Sequence, residues 1–124
     1  MKKKLTAYTL FSGGGGLHLG LRRRDRLIQM AHVLDAAQEF SGPIILGGDL
    51  NDVWGSLGRK ILEPAGLKPA CGLVNTFPAF RPIRPLDRLY FRGNLHCRQC
   101  FRSRSNVARL ASDHLPLIAE FELD

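Results

Sequence analysis

Pro43-Ile44-Ile45-Leu46-Gly47-Gly48-Asp49-Leu50-Asn51-Asp52 is the stretch on which the fold turns. Its aliphatic run, set between a proline and a pair of glycines, predicts a strand buried on both faces in an α/β sheet. Polar groups that follow at the carboxyl end of such a strand are well placed for chemistry. Upstream, residues 22–40 carry Leu27, Ala31, Leu34 and Ala37 at helical spacing, with the arginines and Gln38 on the other side, and Ser41-Gly42-Pro43 stops the helix. Before it, Leu5 to Phe11 reads as a short strand, and Gly13 to Gly16 as a turn or junction into the alternating Leu17-His18-Leu19-Gly20-Leu21.

Downstream, Ser56 is placed to cap a second helix carrying Leu57, Ile61 and Leu62, closed by Pro64 and Gly66. The prolines and arginines between Thr76 and Pro85 describe an extended loop. Leu86 to Phe91 reads as a strand, joined through Gly93-Asn94 to a hairpin partner at Leu95 to Phe101. Ser103 to Ser112 reads as a polar connection. Leu115 to Leu123 closes the chain as a strand, with Leu115, Leu117, Ala119, Phe121 and Leu123 on one face.

A chain of 124 residues builds one domain, and 44% hydrophobic with 23% charged residues is ordinary for a globular protein. No apolar run approaches the length of a membrane span, so no membrane partner is expected. The 18 Lys and Arg against 11 Asp and Glu give +7, which favours polyanionic partners, DNA or RNA among them. Many basic proteins bind nothing anionic specifically. Lys2 to Lys4 before Leu5 to Phe11 resembles a signal peptide only superficially, because the apolar part is short and runs into glycines. Three cysteines in a chain able to build its own core favour reduced thiols and a cytoplasmic setting.

Three segments put a carboxylate in a loop beside an apolar run: Gly48-Asp49-Leu50-Asn51, Pro85-Leu86-Asp87-Arg88-Leu89-Tyr90 and Ala111-Ser112-Asp113-His114-Leu115-Pro116. Asp49 and Asn51, two apart on an extended segment, point the same way and can converge on a cation or on a phosphate and its attacking water. Taken alone, the pair also reads as an Asx turn, and Ser112-Asp113 as ordinary turn chemistry ahead of a strand.

The order Gly-Asp-x-Asn, Leu-Asp-Arg-x-Tyr, Ser-Asp-His-x-Pro resembles the endonuclease/exonuclease/phosphatase superfamily, and His18-Leu19-Gly20-Leu21 with Arg26 and Gln29 is similar to the segment that precedes Gly-Asp-x-Asn there. The resemblance runs from about Leu17 to Leu123. It implies an α/β fold in which a mixed β-sheet with helices on one face forms half of a four-layer αββα sandwich, with residues 1–16 an added strand and glycine-rich junction and 17–124 the C-terminal half of the domain. It implies a metal-dependent phosphoesterase, and the charge of +7 directs it toward nucleic acid. In it Asp49 holds or activates water, Asn51 binds phosphate and His18 contacts a phosphate oxygen. Asp113 supports the metal with Asp49 or orients His114, and His114 stabilises developing charge. Asp87 supports the histidine or the metal shell, and Arg88 joins the substrate-binding set.

Family members also carry an Asn and then a metal-binding Glu in an N-terminal half. Here the first glutamate is Glu39, after the His18 segment. Weak binding of Mg2+ or Mn2+ is therefore expected, with activity in doubt. The alternative is a catalytically inactive chain that binds polyanions or acts as an assembly module. A half sandwich would leave the Leu115 to Leu123 face and the Ile44 to Leu46 strand against water, which predicts a homodimer through that face or complementation by a missing half.

His96-Cys97-x-x-Cys100 invites a zinc site, but a structural site needs four ligands, and strand spacing sets the two cysteines on opposite faces. Arg22, Arg23, Arg24 and Arg26 are placed to meet a phosphate backbone or to form a solvated helix face. Trp54 and Phe77 flank the site; core packing is the commoner fate of such a phenylalanine.

Overall fold

The computed structural model describes residues 3–8, 23–50 and 58–124, with backbone only at 5–8, 23–27 and 29. Its elements are β1 (Lys3–Tyr8), α1 (Arg23–Gln38), β2 (Ile44–Asp49), a π-helical turn (Gly58–Leu62), β3 (Lys68–Pro69), β4 (Asp87–Arg92), β5 (Leu95–Arg102), α2 (Asn106–Ala111) and β6 (Leu117–Leu123). The class is α/β. The strands form two three-stranded sheets, β2-β4-β3 and β1-β6-β5, in which every pairing is antiparallel.

Alternation along β4 explains how the sheets stack. Leu89 enters one apolar cluster with Leu95, Leu117, Ala119 and Phe121, packed by Ile45 and Phe91. Tyr90 enters another with Met30, Leu34, Leu50, Leu62 and Leu67. One face of the β2-β4-β3 sheet thus meets the β6 sheet, and the other meets α1 and the π-helical turn. In α1 the core stripe is Met30, Leu34 and half-buried Ala37, a step of four then three; Ala31, expected inside, is exposed. The turn is closed by Glu63 N–H donating to Gly58 O at 2.8 Å and by Gly66 at φ 90°, a left-handed position suited to glycine. Ser56 and Leu57 lie outside the described residues.

Three expectations are corrected. β5 is not the hairpin partner of β4: both flanks of β4 are taken by β2 and β3, and after Gly93 the chain crosses to the other sheet and pairs with β6. Second, the β6 face expected against water is covered within the chain, with Leu117 and Ala119 at 0% and Phe121 at 1% exposure. Large side chains buried this way contribute roughly 1.5–3 kcal/mol each. The argument for a dimer through that face loses its premise. β1 is bonded along β6 from Lys3↔Leu123 to Tyr8↔Ile118, so residues 3–8 form an edge strand of this sheet.

The third correction concerns the thiols. The register of β5 on β6 shifts between Cys97 and Gln99, so Cys97 stands opposite Phe121 and Cys100 opposite Ala119. Directly opposed residues share a face, so the bulge brings both cysteines to the inner side. There Cys100 is disulfide-bonded to Cys71. His96 lies opposite Glu122 on the outer side and pairs with Asp124 at 2.7 Å, which takes the proposed zinc set apart. Ser103 to Ser112, expected as a polar connection, contains α2, whose first turn is capped by Ser105 Oγ accepting from Ala108 N–H at 3.1 Å.

Candidate active site

The register of β2 on β4 ends with Asp49 opposite Asp87. Two carboxylates directly opposed on adjacent strands repel each other unless something intervenes. His114, from the loop between α2 and β6, intervenes. Its Nδ1 lies 2.8 Å from Asp87 Oδ2 and its Nε2 lies 3.7 Å from Asp49 Oδ2. The first distance is a hydrogen bond; the second is an ion-pair separation too long for one. Gly48 precedes Asp49 at φ 145°, backbone that a residue with a Cβ rarely adopts, and so sets how the strand delivers Asp49.

Asp87 is 2% exposed and needs donors. Thr76, fully buried, supplies one: its hydroxyl accepts from Asp87 N–H at 3.3 Å and donates to Asp87 Oδ2 at 2.6 Å. His114 Nδ1–H supplies the second. Because Asp87 can only accept when ionised, Nδ1 carries the proton and Nε2 is turned toward Asp49. The Thr76 segment is itself braced. Thr76 N–H donates to Arg84 O, Leu115 N–H donates to Thr76 O, and Ala79 N–H donates to Asp113 O. The Phe77 ring covers the imidazole at a centroid distance of 4.9 Å.

Of the residues singled out from sequence, the structure brings Asp49, Asp87 and His114 together. The orienting hydrogen bond to His114 comes from Asp87, and exposed Asp113 faces an adjoining cleft. Arg88 is 5% exposed and, by strand alternation, on the opposite face of β4 from Asp87, with Tyr90. His18, Asn51 and Trp54 lie outside the described residues, as do the side chains of Arg22, Arg23, Arg24 and Arg26. Thr76 is the member that sequence reasoning missed, since a threonine eleven residues before an aspartate carries no signal by itself. Phe77 packs on the imidazole of His114.

Asp49 and Asp113 are hard oxygen donors of the kind Mg2+ takes. Among the described residues, however, no three His, Cys, Asp or Glu side chains converge as a metal site. The described residues do not make a metal centre of their own.

Residues 4–114 match the Endonuclease/Exonuclease/phosphatase family, and the chain belongs to that family. It is 29% identical over 99 residues to a UPF0294 protein of Vibrio cholerae serotype O1, covering 77% of this chain and 33% of that protein. It is similar in fold to a functionally unknown conserved protein of Enterococcus faecalis, with TM-score 0.70 and 20% identity over 84% of this chain and 46% of that one. A mannosyl-6-phosphatase of Bacteroides thetaiotaomicron also shares the fold, with TM-score 0.58 and 20% identity over 82% and 47%. The chain spans about a third of the length of the curated relatives it matches. Among the described residues, no helix is long and apolar enough to cross a membrane.

Proposed function

We propose that this chain takes part in the hydrolysis of phosphate esters, phosphodiesters or phosphomonoesters, at the Asp49–His114–Asp87 cluster. The observation that carries the reading is the geometry of His114, held at Nδ1 by a buried carboxylate and presenting Nε2 toward a second, half-exposed carboxylate. Asp49 aligns a water and takes its proton as the water oxygen bonds phosphorus and the ester P–O bond breaks, the leaving oxygen taking a proton from solvent to depart as the alcohol. Protonated His114, its charge balanced by Asp87, donates from Nε2 to a phosphoryl oxygen and offsets the charge that develops there. Asp113 and Asn51 are assigned to phosphate or metal binding in this reading. Composition directs it toward polyanions, DNA or RNA among them.

The alternative, a chain that binds phosphate esters without turning them over, is favoured by the missing three-ligand metal cluster among the described residues. The test is release of product from plasmid DNA and from a chromogenic phosphodiester, with Mg2+, Mn2+ or chelator. Metal-dependent product release supports the hydrolase. Saturable binding of either substrate without product in every arm selects the binder.

A further inference from the structure

Two segments that flank the histidine site carry arginines and no carboxylate: residues 75–86 and residues 101–112. Arg81, Arg84, Arg104 and Arg109 in them are all exposed. The same segments hold the most exposed large apolar side chains among the described residues, Leu110 at 89%, Phe80 at 82%, Val107 at 76% and Ile83 at 62%. They meet in space. Phe80, Arg109 and Leu110 line one open cleft of about 540 Å3, whose inner wall is Phe77, the ring that packs on His114, and whose edge is Asp113. Val107, three residues before Leu110, shares its side of α2.

α2 is unusual in burying no residue at all. A helix of six residues has too few internal bonds to hold itself by propensity, so its cap and its surroundings must do so. Its apolar residues point away from the core. A contiguous apolar projection is normally covered by a partner. Val107, Leu110 and Ile83 are aliphatic, three of the four exposed apolar side chains here, and with the ring of Phe80 they fit the acyl and headgroup boundary of a bilayer. Arg109 in the cleft, and exposed Arg81, Arg84 and Arg104 on the same two segments, fit anionic headgroups.

We infer that the face formed by residues 78–84 and α2 seats on an anionic phospholipid surface, with Phe80 and Leu110 entering the headgroup boundary. The cleft then lies at the bilayer with Asp113 at its edge, which sets headgroup phosphates beside the loop that carries His114. The inference rests on the phosphoesterase reading for this last step only; the surface itself stands on exposure and charge. It replaces the expectation of no membrane partner, which rested on the lack of a spanning segment, by a peripheral one.

The experiment is cosedimentation of the whole chain with vesicles of phosphatidylcholine alone and of phosphatidylcholine with phosphatidylglycerol in equal parts. The unaltered chain is expected to bind the anionic vesicles at least about tenfold more tightly. Arg109→Gln is expected to weaken that binding about fivefold, the worth of one cation at such a surface. The double variant Phe80→Ser, Leu110→Ser should weaken it by more than about tenfold. An unchanged thermal melt for the variants shows that they remain folded, as their exposure dictates. Equal binding to both vesicle types overturns the inference, as does a double variant that binds like the unaltered chain. So does a single-stranded oligonucleotide whose binding depends on the same residues while vesicles are ignored. Hydrolysis of a soluble chromogenic phosphodiester by the unaltered chain reports separately: vesicle binding without hydrolysis leaves the surface standing and removes the phosphoesterase reading.

Discussion

Thr76→Val is the sharpest probe of how the site is held. Valine matches threonine in shape, so the substitution removes one hydroxyl from a fully buried position. Two hydrogen bonds go with it, the one donated to Asp87 Oδ2 at 2.6 Å and the one accepted from Asp87 N–H at 3.3 Å. A hydrogen bond to a charged group contributes about 1.5–3 kcal/mol, and a buried group left unsatisfied costs about 1–3 kcal/mol. A total of roughly 2–4 kcal/mol is expected, a large part of the whole stability of a domain this size. At this chain length that corresponds to a fall in melting temperature of about 6–20 °C. Thermal melts followed by circular dichroism measure it. Thr76→Ser keeps the hydroxyl, loses only a methyl group, and should cost about 1 kcal/mol. A valine variant that melts within about 2 °C of the unaltered chain, or a serine variant as damaged as the valine one, would refute the account of Thr76 as the donor that satisfies Asp87.

Asp49→Asn keeps the shape of the cluster and removes the proton acceptor, so hydrolysis should fall by about 10²–10⁴ while the melting temperature changes little. Gly48→Ala forces a Cβ onto backbone at φ 145° and should cost about 1–3 kcal/mol, although nothing lies within 4 Å of the added atom; an unchanged melt would show that the strand end relaxes freely. The disulfide Cys71–Cys100 spans 29 residues, so its reduction should lower stability by about 3–4 kcal/mol in a denaturant titration, and an identical midpoint under reductant would mean that it contributes nothing. Burial pushes the Cys97 thiol up, outweighing the backbone contact at Gln99 that lowers it. Its thiolate is then scarce near neutral pH, and alkylation should be slower than for a free cysteine peptide and quicken as pH rises; a faster reaction at neutral pH would contradict this.

The parts of the fold written in local pattern are legible in the amino-acid sequence alone. Alternation puts Leu117, Ala119 and Phe121 on one face of β6, and the aliphatic run before Gly47-Gly48 marks β2 and leads to Asp49. What pattern does not encode is which strand edge is open. Gly93-Asn94 announces a turn, but nothing local tells β5 to leave the sheet of β4 and pair with β6. The same holds for the bulge at Cys97 and Gln99, a one-residue slip that turns two cysteines onto one face and allows the Cys71 bridge. In the site, Asp49, Asp87 and His114 are visible because three motifs occur in a fixed order. Thr76 is invisible because its role exists only once the loop folds back and sets its hydroxyl against a carboxylate. The exposed apolar residues of α2 are hidden for a related reason, since residues 103–112 are polar enough overall to pass for a linker.

The central claim is that His114, held by Asp87 and turned toward Asp49, drives phosphate-ester hydrolysis. The measurement that tests it most directly is the rate of product release from a chromogenic phosphodiester with Mg2+ present, for the unaltered chain and for His114→Ala side by side. The account predicts that the substitution lowers the rate at least about a hundredfold. Equal rates for the two proteins, whether both hydrolyse the ester or neither does, would contradict it.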